Sequence, residues 1–323
     1  MNVVSLFNGM NTGRQALENV GIKVNKYYSS EIKPYAIQLT QHHFPDTIQV
    51  GDVTKWRDWD IDWKSIDLIL SGSPCQDLSA AGKRAGINGS KSSLFFVFVE
   101  ILEHIKKLNP KVLFLQENVG SASKLDVGIM SRALGVYPVR INSSLVTAQL
   151  RDRYYWSNIK TKETMFDIVT DIPQPKDRGI MFKDIITDGH VERVKANCLL
   201  QGDYKQMVKC PIKEDVLIKK RIAKGKQNAN IVYVDTDKHT CLNTGSGKDG
   251  SQRYLKHRNQ TTGMITLIHT EGIVRTVNQI EMERLQGFPD GYTSILSKAK
   301  AGSLLGDGWT LPIIEHIFSF INK

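Results

Sequence analysis

Ile66-Asp-Leu-Ile-Leu-Ser71, followed by Gly72-Ser-Pro-Cys75-Gln-Asp-Leu-Ser79, is the stretch whose reading decides the fold. The first six residues form a short, largely apolar run that stops at Gly72 and Pro74, as a buried parallel strand does. Cys75 stands directly after Pro74, at the carboxyl end of that strand, where open α/β sheets place their chemistry. The segment from Gln76 to Ser93 is polar, rich in Gly and Ser, and able to move. A structural cysteine usually has apolar residues on both sides, and here the downstream side is polar. Two readings stay open on this stretch alone, a nucleophile and a cysteine packed at a strand end.

Outward from it, apolar runs alternate with helical patterns through the first 160 residues. Strands are expected at Val3–Phe7, Asn25–Ser30, Thr47–Val50, Ile66–Leu70 and Lys111–Glu117. Helices are expected at Arg14–Val20, Pro34–His43 and Leu94–Leu108, the last ended by Asn109-Pro110. Val139–Thr147 and Tyr154–Ile159 follow closely, as a hairpin at a sheet edge would. This alternation predicts an α/β fold with a doubly wound, mostly parallel sheet.

The chain has 323 residues, 41% hydrophobic and 24% charged, enough for a large core and two domains. Its start lacks the basic and small-residue features of a signal peptide. No apolar run reaches the 18 residues that suggest a membrane span, so no membrane partner is expected. The four cysteines, Cys75, Cys198, Cys210 and Cys241, show no CxxC spacing. That argues against a zinc site, so no metal ligands are assigned, and it favours a reducing compartment.

Net charge is +10 and unevenly placed: Lys205–Arg258 holds 13 Lys and Arg against 5 Asp and Glu. Such a block is either a solvated basic face or a surface for the phosphate backbone of a nucleic acid. The segment from about Lys162 to Gly272 is polar, basic and short of long periodic helices. It contains the loop Gly245-Ser-Gly-Lys-Asp-Gly250. The expected organisation is therefore a first domain over 1–161, a smaller second domain over 162–272, and a return to the first over 273–323, ending in an amphipathic helix from Leu311 to Phe320.

Phe7-Asn-Gly-Met-Asn-Thr-Gly13 joins the first strand to the first helix, the place for a cofactor-binding turn. It is not GxGxxG. Glu31 after the second strand stands where an acid grips ribose hydroxyls, and Asp52 after the third could accept from an exocyclic adenine amine. Each is equally a common surface acid. Together the three strand ends outline a crevice for an adenine nucleoside. No phosphate-gripping loop accompanies them, a description that S-adenosylmethionine fits.

These residues resemble the cytosine-5 DNA methyltransferases nearly end to end, in that family's motif order. Phe7-x-Gly9, Glu31 and Gly51-Asp52 are similar to its cofactor motifs. Pro74-Cys75-Gln76 is similar to its nucleophile motif, and Leu94-Phe95 opens the helix after it. Glu117-Asn118-Val119, Gln149-Leu-Arg151-Asp-Arg153 and Glu283-Arg-Leu-Gln-Gly-Phe-Pro289 follow in order. Thr12-Gly13 and the ending Leu305-Gly-Asp-Gly-Trp309-Thr-Leu-Pro312 lean toward the eukaryotic de novo branch. Asp307 replaces the usual Asn.

The resemblance implies a Rossmann-like class I methyltransferase with a target-recognition domain inserted before the C-terminal helix. It implies transfer of methyl from S-adenosylmethionine to carbon 5 of a flipped-out cytosine in double-stranded DNA, leaving S-adenosylhomocysteine. Cys75 is then the nucleophile. Glu117 holds or donates a proton at ring nitrogen 3, Arg153 binds the ring carbonyl, and Arg151 orients Glu117 or acidifies the thiol. The expected cofactor contacts are Phe7, Gly9, Thr12, Glu31, Ile32, Asp52, Val53, Pro74, Leu94 and Trp309. Lys83 and Arg84 are expected to reach phosphates, and Ser251, Gln252 and Arg253 to meet base edges. A cognate restriction endonuclease is a candidate partner, and the expected setting is the cytoplasm of a bacterial, archaeal or phage-infected cell. An RNA (tRNA) cytosine-5 methyltransferase and a non-catalytic DNA-binding relative are the alternatives.

Overall fold

A computed structural model describes residues 1–74, 94–187, 191, 193–199, 231–234, 256–258, 265–269 and 272–321. The chain forms two compact units. The first comprises Met1–Val146, Asp152–Asp177 and Gly308–Lys323, and the second Thr147–Arg151 and Arg178–Asp307. Among the described residues, no helix is long and apolar enough to cross a membrane.

The first unit is built on seven strands: β1 (Asn2–Leu6), β2 (Lys26–Ser30), β3 (Ile48–Gln49), β4 (Leu68–Ser71), β5 (Leu113–Val119), β6 (Val139–Asn142) and β7 (Asp152–Ser157). Their order is β3-β2-β1-β4-β5-β7-β6. Only β7 runs against its neighbours, pairing antiparallel with β5 and β6. After β3 the chain crosses to the other side of β1 to add β4. That switch opens a crevice at the carboxyl ends of β1 and β4, the place where open parallel sheets bind ligands. The fold is α/β, Rossmann-like and mostly parallel, as the alternation implied.

Four helices connect the strands: α1 (Thr12–Asn19), α2 (Pro34–His43), α3 (Leu94–Leu108) and α4 (Lys124–Leu134). Pro34 opens α2 at its first turn, where a missing N–H costs nothing. Ser123 caps α4 by accepting from Asp126 N, and Gly135 at φ 72° ends it. In α3, Phe95, Phe98, Ile101, Leu102 and Ile105 recur at helical spacing and are buried. They pack with Val4, Leu6, Ile69, Phe114 and Trp156 in one core cluster. Each such side chain contributes about 1.5–3 kcal/mol by leaving water. On the other sheet face, a Cβ placed at Gly13 of α1 would lie 2.5 Å from Leu70 Cδ1. The closing helix α7 (Leu311–Phe318) packs against α1.

The sequence reading passed over α4 and the hairpin β8 (Thr161–Glu163) and β9 (Ile168–Thr170). The strands β8 and β9 are only three residues each, too short for alternation to register. In the second unit, β10 (Ile231–Val234), β11 (Lys256–Arg258), β12 (Ile265–His269) and β13 (Gly272–Thr276) form an antiparallel sheet in the order β10-β13-β12-β11. Helices α5 (Gln279–Gln286) and α6 (Lys298–Asp307) follow. A reciprocal capping box between Asn278 and Glu281 starts α5.

Candidate active site at the strand ends

Successive side chains of β5 point to opposite faces of the sheet. Gln116 and Asn118 share one face, and Glu117 takes the other. Gln116 Nε2 donates to Ser73 Oγ at 2.9 Å, and Asn118 Nδ2 approaches the same oxygen at 3.4 Å. Ser73 is 4% exposed and lies two residues before Cys75, so β5 ties down the chain just ahead of the thiol. Asn118 belongs to the Glu117-Asn118-Val119 motif seen in the sequence, whereas Gln116, which makes the shorter bond, lies outside it and was missed. The alternation of β5 was the available signal.

Glu117 forms an ion pair with Arg153, Nε to Oε1 at 2.9 Å, with the two side chains 12% and 14% exposed. Glu117 stands opposite Tyr155 in the β5–β7 register, which makes Arg153 its diagonal neighbour on the same face. The second carboxylate oxygen, Oε2, accepts from Trp309 Nε1 at 3.0 Å. Trp309 reaches Glu117 across Gly72. A Cβ at position 72 would sit 2.7 Å from the indole nitrogen, so no larger residue fits there without moving the ring. The structure thus brings Glu117, Arg153 and Trp309 together.

Arg151, two residues before Arg153, clusters with the second unit. Arg151 is 3% exposed, and its guanidinium donates to Cys198 Sγ at 3.3 Å, Leu199 O at 3.1 Å and Gly306 O at 3.0 Å. Gln149, also of that unit, donates to Leu285 O at 2.6 Å and Gln286 Oε1 at 2.9 Å. The residues Leu285 and Gln286 come from the Arg-Leu-Gln-Gly stretch noted in the sequence. Between Arg151 and Arg153, it is Arg153 that the structure brings to Glu117.

The turn after β1 is strained. Phe7, Gly9 and Asn11 have φ of 55°, 59° and 65°, a region that costs a bulky residue such as Phe7 about 1–2 kcal/mol. Such strain concentrates at ligand sites. Gly9 N donates to Glu31 Oε2 at 2.8 Å, while Ile32 N and Lys33 N donate to Glu31 Oε1 at 2.8 and 2.9 Å. Glu31 therefore clamps the turns after β1 and β2. With about four acceptor positions on a carboxylate, it retains one. Beside it Ile32 is 71% exposed, an apolar surface at the crevice edge. Asp52 accepts from Thr54 N and Thr54 Oγ1, both at 2.9 Å and both on Oδ1. These hydrogen bonds hold its carboxyl below the usual aspartate range, so an anionic Oδ2 faces solvent.

The remaining expected cofactor contacts sit around this crevice in different ways. Thr12 begins α1 and is buried, Val53 is buried in the core cluster, and Leu94 begins α3 half-buried. Pro74 ends the described stretch after β4. Cys75, Lys83, Arg84, Ser251, Gln252 and Arg253 lie outside the described residues.

The profile of the C-5 cytosine-specific DNA methylase family matches residues 1–323. The chain belongs to that family. It is similar to the Type II methyltransferase M.HpaII of Haemophilus parainfluenzae, at 28% identity over 332 residues that span 97% of this chain and 86% of the relative. Among solved structures, it is similar to the Entamoeba histolytica methyltransferase EhMeth, with TM-score 0.61 and 14% identity, covering 99% and 97% of the two chains. A second is Spodoptera frugiperda DNMT2, with TM-score 0.58 and 17% identity, covering 100% and 99%. These two likenesses concern the fold. This cytosine-5 methylase acts on DNA, and the family relation implies S-adenosylmethionine as the methyl source.

Proposed function

We propose that this DNA cytosine-5 methyltransferase works through covalent catalysis by Cys75, with Glu117 and Arg153 reading the flipped cytosine. The observation that carries the reading is the doubly bonded Glu117 carboxylate, at the end of β5 next to the β4 end that leads into Pro74 and Cys75. Carbon 5 of cytosine is a weak nucleophile unaided. Addition of the Cys75 thiolate at carbon 6 makes carbon 5 enamine-like. Glu117 holds or delivers a proton at ring nitrogen 3 and accepts from the exocyclic amine, which stabilises the adduct. Arg153 binds the ring carbonyl where negative charge develops. Once carbon 5 carries the methyl group, a base takes its proton, the electron pair re-forms the 5,6 double bond, and Cys75 leaves as the thiolate. Flipping the base out of the duplex costs a few kcal/mol, offset by contacts that include the proposed phosphate ligands Lys83 and Arg84.

The crevice residues suit S-adenosylmethionine. When bound, that cofactor supplies a methyl group on a positively charged sulfur. Glu31 keeps an acceptor position for a ribose hydroxyl, Asp52 Oδ2 for the adenine amine, and exposed Ile32 offers an apolar face to the base. Asn11 adds a fully buried side-chain amide with no partner among the described residues at either polar atom, in the same strained turn. Among the described residues no acidic, His and Cys cluster could hold a metal ion. The second domain over 162–272, which holds the basic block Lys205–Arg258, is the proposed target-recognition domain, with Ser251, Gln252 and Arg253 as base-edge contacts.

Transfer of labelled methyl from S-adenosylmethionine to unmethylated duplex DNA, with Cys75→Ala alongside and bisulfite sequencing of the product, tests the reading. Cys75-dependent methylation at one short motif is the expected result. Transfer to tRNA in place of DNA, or transfer that survives Cys75→Ala, refutes it.

A further inference from the structure

We propose that Trp309 is a positioning residue for Glu117, acting on the target-base side of the site and not as the cofactor contact its place in the sequence suggests. This rests on Glu117 being the acid that reads the cytosine.

The argument begins with the last torsion of a glutamate side chain. Its carboxylate rotates in a broad, roughly two-fold well, so a single donor fixes one oxygen and leaves the other free to swing. Arg153 Nε takes Oε1 at 2.9 Å, and Trp309 Nε1 takes Oε2 at 3.0 Å. Donors on both oxygens lock the plane of the group. Each oxygen then keeps its second acceptor position, and both are aimed in a fixed direction, as hydrogen bonding to a base edge requires. Indole suits the second donor because it has one N–H and no acceptor. It therefore cannot compete for the nitrogen 3 proton.

Three further features hold the indole in place. Gly72 leaves the ring room over the end of β4, with the built Cβ 2.7, 3.2 and 3.4 Å from Nε1, Cε2 and Cζ2. Thr310, the next residue, is 1% exposed and accepts from Ser143 Oγ at 2.8 Å. Leu311 then begins α7, which packs on α1. The donor is thus preorganised by a contact from a residue 192 positions away from Glu117.

Two variants break this bond in independent ways. Trp309→Phe keeps a ring over Gly72 and removes the N–H. Gly72→Ala keeps the indole and pushes its nitrogen away. The full-length enzyme is assayed for kcat at saturating S-adenosylmethionine on duplex DNA, for the Kd of S-adenosylhomocysteine by calorimetry, and for the rate of covalent trapping on 5-fluorocytosine DNA. A misplacement of this size is expected to lower kcat and the trapping rate roughly 10- to 100-fold. The S-adenosylhomocysteine Kd stays within about threefold of wild type, and that retained binding also shows the variants to be folded. The double variant is expected to be no slower than the slower single one, because both remove one interaction. A Kd that rises by as much as kcat falls would make Trp309 a cofactor contact and overturn the proposal, as would an unchanged kcat in Trp309→Phe. A wild-type enzyme that transfers no methyl to DNA defeats the reading of Glu117 itself, and is recognised before any variant is made.

Discussion

Arg153→Ala removes the cation from Glu117 Oε1 while leaving the carboxylate 12% exposed. Breaking a fully buried pair by deleting one partner costs about 3–5 kcal/mol, whereas an exposed pair is worth roughly 0.2–1 kcal/mol. The Glu117–Arg153 pair lies near the buried limit. Trp309 Nε1 remains on the other oxygen and carries part of the charge, which brings the expected loss to about 2–3 kcal/mol. Arg140 supplies an internal control. It pairs with Asp152 in the same unit, with side chains 55% and 31% exposed, so Arg140→Ala is expected to cost less than about 1 kcal/mol. Urea unfolding followed by tryptophan fluorescence, fitted with separate transitions for the two units, measures both. Methyl transfer is expected to fall steeply in Arg153→Ala and little in Arg140→Ala. If the two variants lose the same stability, Glu117 is solvated and mobile, and the account of a locked carboxylate is wrong.

Three other perturbations probe the site from different sides. Ser73→Ala deletes the acceptor shared by two buried amides. Gln116 Nε2 keeps its bond to Glu117 O at 2.8 Å, so the cost is expected at about 1–2 kcal/mol, seen as a melting temperature lower by about 2–8 °C; an unchanged melt would show that the clamp ahead of Cys75 is idle. Asn11→Gly relieves an unpartnered buried amide in a left-handed backbone position, and is expected to stabilise the free enzyme by about 1 kcal/mol while weakening S-adenosylhomocysteine binding. Tighter or equal binding would remove Asn11 from the cofactor account. Because the Thr54 bonds depress the Asp52 pKa, the stabilisation they give is present above the unfolded value of about 3.9 and is lost as pH falls through the lower folded value. Thr54→Val removes the hydroxyl bond and keeps the larger backbone one, so it is expected to raise the Asp52 midpoint in an NMR titration only part of the way toward the ordinary aspartate value, and an unmoved midpoint would assign the depression to the backbone N–H alone.

Much of the architecture was legible in the chain. Pro34–His43 and Leu94–Leu108 were expected as helices at the bounds the structure gives α2 and α3. The reasons are local: Pro34 fits a first turn, and the apolar residues of α3 recur every three or four positions. The run Ile66–Ser71 marked β4 because a strand covered on both faces reads as continuous apolar sequence. Helices α5 and α6 were not anticipated. The sequence showed Arg-Leu-Gln-Gly-Phe-Pro as a motif, yet neither helix has the sustained apolar stripe that periodicity detects. Their buried members include Glu281, Glu283 and Gln286, polar residues satisfied by partners far along the chain. Glu281, for example, accepts from Thr187 N at 2.8 Å, 94 residues away.

The sequence by itself determined the α/β class, the order of strands and helices in the first 160 residues, and the motifs in which Glu117 and Arg153 stand. Those properties follow from short-range pattern and from motif order. Only the tertiary structure decided which groups touch. The antiparallel register of β7 on β5 makes Arg153 the diagonal neighbour of Glu117. The alternation of β5 sends Gln116 to Ser73 and Glu117 to the opposite face. The approach of Trp309 over Gly72 puts a donor on Glu117 that sequence position alone did not show. Hydrogen bonds depend on ångström-scale placement of groups separated by tens to hundreds of residues, and that placement exists only once the sheet has closed around them.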